Sequence, residues 1–196
     1  MKILSILFAM TLSLQLISIS NAKSPEKYGD LVKIKMETSY GEIELELNHK
    51  KAPITVKNFL SYAKKGFYEG TIFHRVIKGF MIQGGGFNKD LERKSVEASI
   101  QNEADNGLAN EVGTIAMART GEVHSATAQF FINVNNNTSL NHTSKNPRGY
   151  GYAVFGRVTK GMPIINKIKL AKTMQKTPHN NFPVEPILIK KIIILK

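Results

Sequence analysis

The sequence predicts a mainly β fold: a closed, eight-stranded antiparallel barrel with two α-helices. Three observations carry this. Eight short segments have strand character, two have helical spacing, and most of the connections are short and rich in glycine or asparagine. Strands that follow one another without a regular βαβ alternation favour a barrel over a doubly wound sheet.

Val32, Ile34 and Met36 alternate with Lys33, Lys35 and Glu37, the period of a half-buried strand. Ser39-Tyr40-Gly41 supplies a turn, and Ile43, Leu45 and Leu47 alternate with Glu42, Glu44 and Glu46 to complete a hairpin with one charged face. Pro53 opens a helix carrying Val56, Phe59, Leu60 and Ala63, and Gly66 follows its end. Strands are expected at Ile72 to Ile77, Phe80 to Gln83, Ile115 to Ala118, Gln129 to Val134 and Ala153 to Val158. A second helix spans Met162 to Leu170, and a last strand runs from Ile187 to Leu195. Residues 88–110 and 135–151 are long and polar, and loops of that length in a compact domain are usually functional.

The chain has 196 residues, of which 42% are hydrophobic, enough for one domain with a single core. Residues 1–22 stand apart. Lys2, the apolar run Ile3 to Ile17 and the small residues Ser20 and Ala22 read as a signal peptide cut after Ala22. Ser, Thr and Gln interrupt that run, and a membrane span needs about 20 predominantly apolar residues, so no stable anchor is expected after cleavage. The expected product is periplasmic or secreted, with a flexible lead at 23–30 and one domain at 31–196. Cysteine is absent, which removes disulfides, thiolate catalysis and Cys-ligated metals. Lys and Arg number 27 against 15 Asp and Glu, a formal charge of +12. The basic residues are scattered, no basic and aromatic stacking run accompanies them, and no nucleic-acid partner is expected.

The most informative segment is Phe73-His74-Arg75-Val76-Ile77, followed by Gly79-Phe80-Met81-Ile82-Gln83-Gly84-Gly85-Gly86. Arg75 sits in an apolar run, where an unpaired charge is expensive to bury, so it must face solvent, a carboxylate or a groove that uses its donors. Alternation places Met81 and Gln83 on one face with Phe80 and Ile82 on the other. Gln129, Phe131 and Asn133 likewise share a face, opposite Phe130 and Ile132. An amide beside a large apolar group suits an extended peptide with an apolar residue. Pattern alone favours a plainer reading, a sheet with an arginine on its polar face. The triple glycine lacks the residues of a phosphate loop and is better explained by close backbone packing. The five histidines have no metal-ligand spacing, and His124-Ser125 lacks a hydrolase elbow, so neither metal nor cofactor is expected.

These segments resemble the cyclophilin signature. Ala128-Gln129-Phe130-Phe131-Ile132 and Val154-Phe155-Gly156-Arg157-Val158 match two further cyclophilin segments in the same order. With the leader, Ala116 to Thr120 and Gly151 to Phe155 look like the bacterial periplasmic peptidyl-prolyl isomerase branch. The resemblance runs from about Val32 to the C-terminus. It implies a barrel capped by its two helices and a groove on the outer wall. It also implies peptidyl-prolyl cis/trans isomerase activity on unfolded or flexible proline-containing polypeptides, by a monomer without cofactor.

Carried over residue by residue, the resemblance makes Arg75 the catalytic arginine, with Gln83 orienting it. Phe80, Met81, Phe131 and Leu140 match the proline pocket. Gln129 holds substrate backbone, His74 lines the site, and Ala118 and Arg119 bind the peptide chiefly through main-chain groups. Tyr152 stands where many members have His. Ser139 replaces an aromatic, often Trp, which implies weaker binding of cyclosporin-class inhibitors, and Arg119-Thr120 replaces Asn-Ala, adding a charge at the groove edge. The alternatives are a proline-peptide-binding chaperone or adhesive module in which turnover is secondary, and a basic membrane-surface or nucleic-acid binder.

Overall fold

A computed structural model describes residues 28–176 and 179–195. Residues 1–27 lie outside it, and with them the predicted leader and most of the 23–30 lead. The described end of that lead is anchored, because the Tyr28 ring meets His49 edge-on at 5.6 Å.

The described strands are β1 (Leu31–Thr38), β2 (Gly41–Asn48), β3 (Thr71–Ile77), β4 (Met81–Asn88), β5 (Thr114–Met117), β6 (Phe130–Asn133), β7 (Val154–Lys160), β8 (Thr173–Lys176), β9 (His179–Pro183) and β10 (Ile189–Ile194). The helices are α1 (Pro53–Lys64) and α2 (Met162–Lys169). Eight strands form one sheet in the order β10-β1-β2-β7-β5-β6-β4-β3, with every neighbouring pair antiparallel. The two ends of that order meet: Ile72 bridges Leu188, and Phe73 N–H donates to Ile187 O at 2.9 Å. The sheet is thus a nearly closed barrel, as expected.

Alternation fills the interior. Ile34, Met36, Ile43, Leu45, Leu47, Ile82, Ile115, Phe130, Ile132 and Phe155 belong to one buried cluster. Phe59 of α1 joins it, 4.9 Å from the Tyr68 ring and 5.3 Å from Phe155. Pro53 sits in the first turn of α1, where its missing N–H costs nothing. In α2, Ile165 and Ile168 are the buried positions.

Three expectations change. Phe80 does not share the inner face of Ile82. It lies in the turn before β4 begins, where strand alternation does not apply, and packs with Met81 on the outer cluster. The strand begun at Met81 runs on to Asn88 through all three glycines. A Cβ on Gly85 (φ +80°) would lie 2.8 Å from Phe130 and 2.9 Å from Tyr68, and one on Gly86 would lie 2.5 Å from Gln129, so neighbours occupy the space a side chain would need. Finally, β8 and β9 pair into a separate hairpin, with β9 packed on β3. All four residues of β8 are exposed, so no apolar alternation marked it.

Candidate active site

The outer barrel wall carries a second apolar cluster of Met81, Ala116, Phe131 and Val154, with Ile77, Phe80, Leu140, Ala118 and Tyr152 packed on it. Strand register explains its position beside Arg75. Arg75 pairs Gln83, Gln83 pairs Phe131, Phe131 pairs Ala116 and Ala116 pairs Val154, one row across five strands. Arg75 therefore sits two strand spacings, about 9–10 Å, from Phe131 along that row.

A β-bulge aims the arginine. Between Phe73 and Arg75 the pairing advances two residues on β3 but one on β4, leaving His74 as the extra residue. Phe73 and Val76 lie in the inner core, while the half-buried Arg75 lies on the outer face. Without the bulge, strict alternation would give Phe73 and Arg75 the same face.

Gln83 links the polar side of the groove. Its Nε2 donates to Gln129 Oε1 at 3.0 Å, leaving Oε1 to accept from Arg75 Nη1 at 3.4 Å. The glycine at 86 leaves room for the Gln129 side chain to lie flat against β4. A cleft of about 240 Å³ runs from Gln83 and Gln129 to Ala118 and Thr120. Ala118 N–H is used within the wall, donating to Gln129 O at 3.0 Å. His74 lines a cavity with Arg75, Gln83 and Gln129, its ring edge-on to Phe87 at 4.8 Å.

The apolar side is built from three segments. Met81 and Phe131, 2% and 4% exposed, come from adjacent strands. Leu140 closes the 3-10 turn Thr138–Leu140, and Tyr152 N–H donates to Leu140 O at 2.9 Å. The Tyr152 ring meets Phe131 edge-on at 5.7 Å. The Arg119 guanidinium faces the protein's own carbonyls and the Tyr152 ring.

A set of buried asparagines supports this side; the sequence marks only Asn133 among them, on the face of Gln129 and Phe131, and not Asn110 or Asn137. Asn137 Nδ2 donates to Phe80 O at 2.8 Å and to Asn133 Oδ1 at 2.6 Å. Asn133 Nδ2 donates to Asn110 Oδ1 at 3.1 Å, and Asn110 Nδ2 to Leu140 O at 3.1 Å. The chain thus ties Phe80 to Leu140 across the pocket. Its other sequence signal is the density of Asn in a segment flanked by strands, which reads equally well as a polar loop.

The family described as cyclophilin type peptidyl-prolyl cis-trans isomerase/CLD matches residues 33–194. The chain is 59% identical over 162 residues to the peptidyl-prolyl cis-trans isomerase cyp18 of Streptomyces antibioticus, covering 83% of this chain and 98% of that one. It is 53% identical over 161 residues to peptidyl-prolyl cis-trans isomerase A of Dickeya dadantii (82% and 83% covered), and 48% identical to isomerase B of Escherichia coli (82% and 98% covered). Among solved structures, a cyclophilin type isomerase from Cryptosporidium parvum superimposes with a TM-score of 0.70 at 27% identity, covering 85% of this chain and 98% of that one. The same protein in the presence of the dipeptide Ala-Pro gives 0.69. The chain belongs to the cyclophilin family and is a cyclophilin-type peptidyl-prolyl cis-trans isomerase.

Proposed function

We propose that the outer groove is the catalytic site and that Arg75 is its catalytic residue. The observation that carries this is the single row of paired residues that sets the Arg75–Gln83 contact beside the apolar cluster of Met81 and Phe131. The X-Pro bond resists rotation by roughly 18–20 kcal/mol because amide resonance gives C–N partial double-bond character. Twisting the bond returns the lone pair to the prolyl nitrogen. A donor aimed at that nitrogen binds the twisted state more strongly than the planar one, which is the requirement for catalysis.

Arg75 supplies that donor, and Gln83 holds the guanidinium in orientation. Phe80, Met81, Phe131, Leu140 and Tyr152 hold the proline ring while the preceding carbonyl swings. Gln129 and the main chain at Ala118 and Arg119 grip the peptide backbone. The apolar wall strengthens the guanidinium interaction by excluding water. A barrier lowered by about 7 kcal/mol gives a rate gain on the order of 10⁵. The substrates are unfolded or flexible proline-containing polypeptides, and all the groove residues come from one chain, so a monomer suffices. The basic start, apolar run and small residues of 1–22 support export to the periplasm or beyond, with the mature chain starting at Lys23.

The test is a protease-coupled proline-peptide assay on residues 23–196 and on its Arg75→Ala variant. Loss of most turnover in a folded variant is expected, and unchanged turnover overturns the assignment. Retained peptide binding without measurable turnover in the unaltered chain would favour a binding module instead.

A further inference from the structure

The Arg119 guanidinium stands where a charge at the groove edge would meet substrate, yet its donors are committed elsewhere. Nε donates to Gly151 O at 3.0 Å, Nη1 to Thr120 O at 2.9 Å and Gly121 O at 3.3 Å, and Nη2 to Pro147 O at 3.3 Å. That uses four of its five N–H groups. The central carbon of the guanidinium lies over the Tyr152 ring, 4.7 Å from its centre. One side chain therefore joins three things: its own loop, the 141–151 loop and an aromatic wall of the apolar pocket.

The 141–151 loop needs such an external tie. Tyr152 N–H donating to Leu140 O closes its neck, so both neck residues line the pocket. Inside the loop, Asn146 Oδ1 accepts from Arg148 and Gly149 N–H, and Thr143 N–H donates to Gly149 O at 2.7 Å. These bonds give the loop shape but do not fix its angle to the barrel. Asn102 Nδ2, donating to Gly151 O at 3.1 Å, and Asn110 N–H, donating to Asn141 Oδ1 at 2.7 Å, hold the loop near its neck, and Arg119 adds the tie that spans it, from Gly151 beside the neck to Pro147 near the tip.

We propose that Arg119 is a positioning residue that sets the proline pocket by holding Tyr152 and the 141–151 loop, and that its side chain does not select substrate by charge. This rests on the groove being the active site. Lysine cannot replace it, because an ammonium lacks the planar fork that reaches four carbonyls and stacks on a ring. Tyr152 then keeps its edge against Phe131 only while the guanidinium covers its other face.

The experiment measures kcat and KM for proline peptides with neutral or acidic residues before proline, using Arg119→Lys, Arg119→Met, Tyr152→Ala and the Arg119→Met/Tyr152→Ala double variant. Aromatic NMR shifts of Phe131 and thermal melting are recorded for each. Expected are a rise in KM of about fivefold or more in both Arg119 variants, kcat within about twofold, and a shifted Phe131 ring signal. The loss is to be equal for acidic and neutral peptides and to add less than twofold in the Tyr152→Ala background. A selective loss for acidic peptides, independent losses at Arg119 and Tyr152, full rescue by lysine, or KM unchanged in a folded Arg119→Met variant overturns the proposal. A parallel Arg75→Ala control separates the two readings. If that variant keeps full turnover, the groove assignment fails; if it is inactive while Arg119→Met behaves as unaltered protein, only the positioning role fails.

Discussion

Gln83 donates its carboxamide N–H to Gln129 Oε1 at 3.0 Å, and this bond decides which way round the Gln83 amide lies. With Nε2 committed to Gln129, only Oε1 is left for Arg75. The guanidinium is thus steered by a residue that needs no charge of its own. Gln83→Ala is expected to lower kcat by about 10–100-fold, the loss of one hydrogen bond to a charged group, with KM changed less. Steady-state kinetics on a single proline peptide checks the split.

Asn137 holds the Phe80 carbonyl and the Asn133 carboxamide at once. Asn137→Ala leaves Phe80 O with Val134 N–H alone and strips Asn133 Oδ1 of its donor. The expected cost is about 1–3 kcal/mol of stability, with a raised KM as Phe80 drifts from Met81. Urea unfolding and KM measured on the same preparation test both parts.

Gly85 is tightly enclosed and has φ +80°. Gly85→Ala adds a Cβ into Phe130 and Tyr68 and strains the backbone as well, so a loss of about 2–3 kcal/mol is expected. Chemical denaturation measures it. An effect below about 0.5 kcal/mol would mean that β4 can shift away from the core ring cluster.

Tyr68 is buried, and its hydroxyl donates to Ala128 O at 2.9 Å. Burial, with a smaller contribution from Tyr62, holds its pKa well above the ordinary tyrosine value. Below about pH 10 the phenol is neutral in both folded and unfolded chains and adds no pH dependence. Above that, the unfolded chain gives up a proton that the folded chain keeps, so stability falls as pH rises. Tyr68→Phe is expected to flatten this alkaline decline while lowering stability near neutrality by about 1 kcal/mol, the hydroxyl's hydrogen bond. Denaturant titrations between pH 7 and 11 give both numbers.

The first hairpin of the barrel was legible because its strands are half-buried: Ile34, Met36, Ile43 and Leu45 alternate with charged neighbours, and alternation identifies a strand and its inner face together. The groove was legible only through motif resemblance, since Arg75 in an apolar run also suits an ordinary outer face. Besides the buried asparagines, two features escaped for physical reasons. The bulge at His74 comes from unequal pairing between β3 and β4, a relation between two strands that neither sequence segment records. In the β8–β9 hairpin every residue of β8 is exposed, so that strand has no buried face to leave a period. Arg119 was legible as a charge, but only the positions of Gly151, Pro147 and Tyr152 show where that charge is spent.

In the proposed mechanism Arg75 favours the twisted proline bond rather than merely holding the peptide. Exchange NMR on a proline peptide saturating the protein measures cis/trans interconversion on the bound complex directly. Arg75→Ala is expected to slow that interconversion by about 10²–10³-fold, as for removal of one preorganised donor from a transition state. Peptide affinity is expected to stay within about threefold. Interconversion at the unaltered rate in the saturated variant would contradict the account.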